Sequence, residues 1–333
     1  MNRRSNETPM KVLAMFVLVA LFTVFGATYT VGQAETVRGS LEGRFDEPRV
    51  IEYNGQEYRQ RNSRDITTVL FLGIDTSSES QYAGLGFRNG GQADFQMLVV
   101  IDSKNECITP IHIDRDTITE IPVRSVIGRP SGTTVTQICL AHAFGDGKEL
   151  SCESASTAVS HLLMDIDIDF YVAMNLDGIP VLNDAVGGVT VTLVDDFSHL
   201  DSTMVPGATI TLHGPQAAYY VRHRMDIGKG TNELRMTRQR DYLQKLAQRI
   251  DELTTDNANF IGELFDVLSP SLVTNMKRGR MINEVWKARN YTRAATVTPE
   301  GEHFIGDDGF MEFHVDEDAL TQMVLELFFE PNS

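Results

Sequence analysis

Three short, nearly unbroken apolar runs constrain this chain most: TTVLFLGI at 67–74, FQMLVVID at 95–102 and CITPIHI at 107–113. Each is bounded by turn-forming residues and lacks the strict alternation of a half-exposed strand, so each reads as a strand covered on both faces. Helical patterns lie between and after further strands. TVTQICLAHAF, SCESASTAVSHLLMDI with Ser151 as its cap, LDGIPVLNDAV and HGPQAAYYVR read as helices, while FYVAMN and VTVTLVDD read as strands. A layered α/β/α domain with a central mixed β-sheet follows. Farther on, LRMTRQRDYLQKLAQRIDEL has the period of one long amphipathic helix, and shorter helices are expected over 260–268, 279–288 and 315–329.

A second constraint precedes the domain. From Val12 to Val31 the chain runs twenty residues without a charge, and as a helix rising about 1.5 Å per residue it spans a hydrocarbon core of roughly 30 Å. A cleaved signal peptide has a shorter apolar region of about 7–15 residues and a small-residue cleavage site, which Gly32-Gln33-Ala34 does not supply. The segment therefore reads as a single transmembrane helix. Arg3, Arg4 and Lys11 precede it, which keeps the N-terminus cytoplasmic and places the rest of the chain outside the cell membrane. The expected organisation is a cytoplasmic stretch at 1–11, the anchor at 12–31, a stalk or lead-in strands at 32–64, and an extracellular domain at 65–333. The last comprises a core at 68–250 and a helical extension at 251–333.

The net charge is −17, and because residues 1–31 carry three basic groups against Glu7, the remainder carries −19. A nucleic-acid backbone is not a partner for such a surface. Cys107, Cys139 and Cys152 admit two readings outside the cell: a Cys139–Cys152 disulfide across the intervening Gly-Asp-Gly turn, or three buried thiols.

Candidate chemistry gathers at strand ends. Asp75 follows VLFLGI and Asp94 opens ADFQMLVV; two carboxylates at one sheet edge suit a hard cation such as Mg2+, although aspartate at a strand end also serves as a turn-former. Asp114-Arg115-Asp116 follows CITPIHI, which brings Arg115 to the same edge if that strand runs parallel to the first. Arg222 and Arg224 flank His223, and Arg235, Arg238 and Gln239 fall at the start of the long helix. Arginines near a helix start can grip a phosphate through paired hydrogen bonds, or they can form a solvated face. The histidines show no metal-ligand spacing, and neither a P-loop nor a GxSxG motif is present.

The ordered set GIDT, QADF, DRDT, DFYVAMNLDGIPVLNDAVGGVTVTL, LHGPQAAYYVRHR and LRMTRQRDYL, spanning about Thr68 to Tyr242, resembles the LytR-CpsA-Psr family of bacterial cell-wall proteins. The resemblance implies an extracytoplasmic phosphotransferase. Such an enzyme moves a glycopolymer from a polyprenyl-diphosphate carrier to peptidoglycan as a phosphodiester, with pyrophosphatase as a side activity. It further implies Asp75 and Asp94 as magnesium-associated and catalytic. Arg115 is implied as both catalytic and diphosphate-binding, and Arg222, Arg224, Arg235, Arg238 and Gln239 as further diphosphate contacts. The sequence departs from the pattern at Gln92, where arginine is frequent, at Asp114, where proline is frequent, and at Cys139, where asparagine is common. These departures keep a second reading open: an envelope protein that binds or weakly hydrolyses such lipids and regulates wall assembly.

Overall fold

The computed structural model describes residues 48–76, 90–125, 127–222, 232–257 and 259–332. A hairpin comes first, β1 (Val50–Tyr53) and β2 (Gln56–Gln60), then β3 (Ile66–Ile74), β4 (Ala93–Asp102), β5 (Cys107–Ile113), β6 (Ile118–Arg124) and β7 (Pro130–Gln137). There follow α1 (Leu140–Ala143), α2 (Glu149–Leu162), β8 (Phe170–Met174), α3 (Gly178–Ala185), β9 (Val189–Thr192), β10 (Thr209–Leu212) and α4 (Pro215–Arg222). The remainder is α5 (Asn232–Asp256), α6 (Phe260–Leu268), β11 (Leu272–Thr274), α7 (Arg278–Ala288), β12 (Thr292–Arg293), β13 (Gly301–Ile305), β14 (Met311–Val315), α8 (Glu317–Phe328) and β15 (Phe329–Pro331).

The central sheet is mixed and six-stranded, in the order β11-β8-β3-β4-β5-β12. Its middle is an antiparallel meander, with Leu70 opposite Leu98 and Leu98 opposite Ile111, while β8 joins β3 in parallel. Two antiparallel steps leave β5 running the same way as β3. Alternate residues then serve two cores. Val69, Phe71, Met97 and Val99 pack against helices α3 to α7, and Leu70, Leu72, Leu98 and Val100 pack against α1, α2 and α8. That double coverage is why these strands read as continuous apolar runs.

Several expectations change. TVTQICLAHAF is not one helix. Pro130–Gln137 forms β7, antiparallel to β6, because Thr133, Thr134, Val135 and Thr136 favour an extended backbone; only Leu140–Ala143 is helical. The region 251–333 is not purely helical either. It supplies both edge strands of the central sheet, β11 on β8 and β12 on β5, and these are too short to show a period. The final helix starts at Glu317, where the Asp316 side chain accepts the Ala319 N–H at 3.0 Å. Within the segment read as a stalk, β1 and β2 form a three-stranded sheet with β15. The cysteines are all free, with Cys139 and Cys152 buried, so the disulfide reading is overturned. No helix among the described residues is long and apolar enough to cross a membrane; the run 12–31 lies outside those residues.

Candidate functional site

The meander brings three strand ends to one edge. Ile74 ends β3 opposite Ala93, the first residue of β4, and Gln96 faces Ile113, the last of β5. Asp75, Asp94 and Arg115 therefore meet although twenty-one residues separate the last two.

Gln92 links them. Its N–H donates to Asp75 Oδ1 at 2.7 Å, and its carbonyl accepts the Asp75 N–H at 3.1 Å. Its side-chain Oε1 accepts from Arg115 Nη2 at 2.6 Å, while Arg115 Nη1 pairs with Asp94. Arg115 Nε lies 3.4 Å from Asp116 Oδ1. Burial works against the Arg115 charge, yet Asp94 and Asp116 beside it hold its pKa above the ordinary value. Burial in turn pushes the Asp116 carboxyl up, with Arg115 opposing. Gly91 permits the approach: its φ is +76°, and a Cβ there would meet Thr76 and Ile74 atoms at 2.6–2.7 Å.

Cys139 seals the inner side. Its carbonyl accepts the Ala93 N–H and its N–H donates to the Arg115 carbonyl, both at 3.2 Å. Burial pushes its thiol up to about 11, which leaves it protonated and uncharged at neutral pH. Gln92 and Cys139 looked like departures from a pattern in the sequence; in the fold they join and back the cluster. The C-terminal part also reaches the site, with His303 Nε2 3.2 Å from Asp114 Oδ2 and Phe313 donating its N–H to the Asp116 carbonyl at 2.8 Å. No sequence signal links positions 189 residues apart. A cavity of about 380 Å3 adjoins the edge, lined by Ile74, His142, Lys148, Asn175 and Thr274 among others.

Of the helical arginines, Arg222 is exposed in the last turn of α4. Arg224 lies outside the described residues, and so do the side chains of Arg235 and Gln239. Arg238 differs from the expectation of a ligand-facing group. It is buried, with Nη1 2.6 Å from Asp195 Oδ2, Nε donating to the Tyr220 carbonyl at 3.1 Å, and its guanidinium 5.3 Å from the Phe197 ring centroid. Its position on the helix turns it inward, where it ties α5 to α4 and to the segment after β9.

Comparison with known proteins gives the kinship. The model of the LytR_cpsA_psr family matches residues 29–328. The chain belongs to this family. Among LytR-CpsA-Psr relatives, "Polyisoprenyl-teichoic acid--peptidoglycan teichoic acid transferase TagU" of Bacillus subtilis (strain 168) is 25% identical over 269 residues, 80% of this chain and 78% of the relative. Among solved structures, B. subtilis TagV superposes with a TM-score of 0.56 at 24% identity, covering 80% of this chain and 98% of that one. A structure described as TagT bound to LI-WTA gives 0.52 at 21% identity, covering 89% and 98%. At these identities the two structures establish a shared fold. Among the described residues no group of three or more His, Cys, Asp or Glu side chains forms a ready metal cage.

Proposed function

We propose that this chain is a membrane-anchored phosphotransferase whose domain lies outside the cell and moves a glycopolymer from a polyprenyl-diphosphate carrier to peptidoglycan. The observation that carries the reading is the convergence of Asp75, Gln92, Asp94 and Arg115 at one sheet edge in a LytR-CpsA-Psr chain related to a named teichoic acid transferase. The apolar run at 12–31 supports the anchor.

Charge supports a divalent cation. Among the described residues of this edge, Asp94 and Asp116 flank the guanidinium of Arg115, Asp75 joins them through Gln92 and Asp114 through the Asp116 N–H, an excess of carboxylates that disfavours a diphosphate until a cation intervenes. Asp75 and Asp94 would hold Mg2+, which typically takes one or two carboxylates and completes its shell with water and phosphate oxygens. Bound there, the ion would supply charge neutralisation at the phosphoryl oxygens.

Arg115 is suited to change partners. Its pair with Asp94 is 40% and 43% exposed, and pairs so exposed contribute about 0–1 kcal/mol. Releasing Asp94 toward a cation therefore costs little, and it frees the Nη1 donors of Arg115 for a phosphate oxygen. Gln92 and Asp116 keep the guanidinium at the edge during that exchange. Arg222, Arg224, Arg235 and Gln239 would contribute further contacts to the diphosphate. Arg238 would act beneath them by fixing α5 against α4.

The test is turnover by the full chain in a bilayer with a polyprenyl-diphosphate glycan, Mg2+ and a peptidoglycan fragment. A phosphodiester-linked product is expected, with Arg115→Ala folding normally and losing on the order of 10²–10³ in rate. Donor binding without any product would establish the binding and regulatory role instead. Phosphate release without acceptor would establish a pyrophosphatase.

A further inference from the structure

The described residues expose ten large apolar side chains, and four of them share one place: Phe304 (50%), Ile305 (75%), Phe310 (66%) and Met311 (44%). All sit at the tip of the β13–β14 hairpin, where Ile305 pairs with Met311. Scattered exposed apolar residues are ordinary, whereas a cluster rimmed by polar groups marks a contact surface.

This tip is built. Gly306 donates its N–H to the Phe310 carbonyl at 2.8 Å, Phe310 donates to Asp308 Oδ1 at 3.0 Å, and Gly309 takes a φ of +83° in the turn. The hairpin's base is fastened beside Arg115 through the His303–Asp114 pair, the Phe313–Asp116 hydrogen bond and the buried Phe313 ring. Whatever the tip touches is thus held next to the candidate site.

The occupant follows from the ends of the chain. The described domain begins at the sheet edge opposite Asp75: Arg49 donates to the Met164 carbonyl, and Arg61 pairs with Asp102 at the far end of β4. A nine-residue strand such as β3 is about 30 Å long, so the chain enters the domain roughly that far from Arg115. Sixteen residues, 32–47, have a fully extended length of about 55 Å, which exceeds the roughly 30 Å between the chain's entry and Arg115. A carrier lipid requires the Arg115 edge to face the membrane. A second copy of the chain is a poor occupant, because Asp307 and Asp308 lie in the turn between Ile305 and Phe310 and two such tips bring these carboxylates together. At a lipid surface the same carboxylates stay in water while the apolar side chains enter the interface.

From this placement, and resting on the anchor and lipid-linked donor proposed above, we infer that the β13–β14 tip beds in the lipid surface and turns the Arg115 edge toward the membrane. Insertion is shallow, about 5–10 Å, as for interfacial apolar faces.

The test uses the full chain in uncharged phosphatidylcholine nanodiscs with brominated acyl chains. Phe310→Trp adds an emitter to the single native Trp286. Loss of the added emission in brominated discs, restored when Ile305→Asp is combined with Phe310→Trp, is the expected result. A Phe310→Trp chain that enters the discs and keeps its added emission unquenched overturns the inference and leaves the enzyme reading standing. Emission that shifts with the protein-to-disc ratio but is not quenched overturns it in favour of contact between copies. A chain that does not enter the discs removes the anchor, and the inference falls with it.

Discussion

Arg238→Ala separates an arginine that holds the fold from one that holds a ligand. The guanidinium and its partner Asp195 are only 7% and 10% exposed, and their 2.6 Å contact is joined by the bond to the Tyr220 carbonyl and the Phe197 ring. Removing one member of a buried pair leaves the other charge without compensation and costs about 3–5 kcal/mol. That is a large fraction of the roughly 5–15 kcal/mol that holds a domain together. Thermal unfolding followed by near-ultraviolet circular dichroism should register it, since each kcal/mol shifts Tm by roughly 2–4 °C in a domain of about this size. Replacing both partners with apolar residues, as in Arg238→Met with Asp195→Leu, should recover most of the loss because neither charge is then stranded. A Tm unchanged in Arg238→Ala, with diphosphate affinity lost, would show that the guanidinium faces the ligand and that the inward placement is mistaken.

Three further outcomes follow from the same geometry. Burial raises the pKa of Asp102, but the Asn105 hydrogen bonds and Arg61 outweigh it and hold the carboxyl below its ordinary value. Its stabilisation is complete above the unfolded pKa and disappears as pH falls through the lower folded one. Asp102→Asn should therefore flatten the loss of stability below about pH 4, and an unchanged acid limb in a pH series of Tm would count against this. Gly91→Ala should cost more than about 1 kcal/mol, because the left-handed backbone and the contacts with Thr76 and Ile74 both resist a Cβ. Chemical unfolding would read that cost, and turnover should fall as the Gln92 bond to Asp75 shifts. Alkylation after denaturation without reductant should label three thiols per chain, and a reductant should leave Tm unchanged; two labelled thiols fewer would reinstate the disulfide.

Local pattern alone determines much of this protein. Strands covered on both faces are apolar at most positions, so β3, β4 and β5 are legible as nearly unbroken runs in spite of Thr67, Thr68 and Gln96, and their ends locate Asp75, Asp94 and Arg115 by counting. The long helix α5 and the helices α6 and α7 announced themselves by their period, because one face of each is buried. The tertiary structure alone decided what no window of sequence contains. It turned Arg238 inward onto Asp195, forty-three residues away. It made Gln92 the bridge between Asp75 and Arg115, and drew two edge strands of two and three residues from the C-terminal region. It also set His303 against Asp114. Periodicity records whether a side chain is buried, whereas the partner that compensates a charge is chosen by long-range packing, and that choice separates a structural arginine from one free to meet a phosphate.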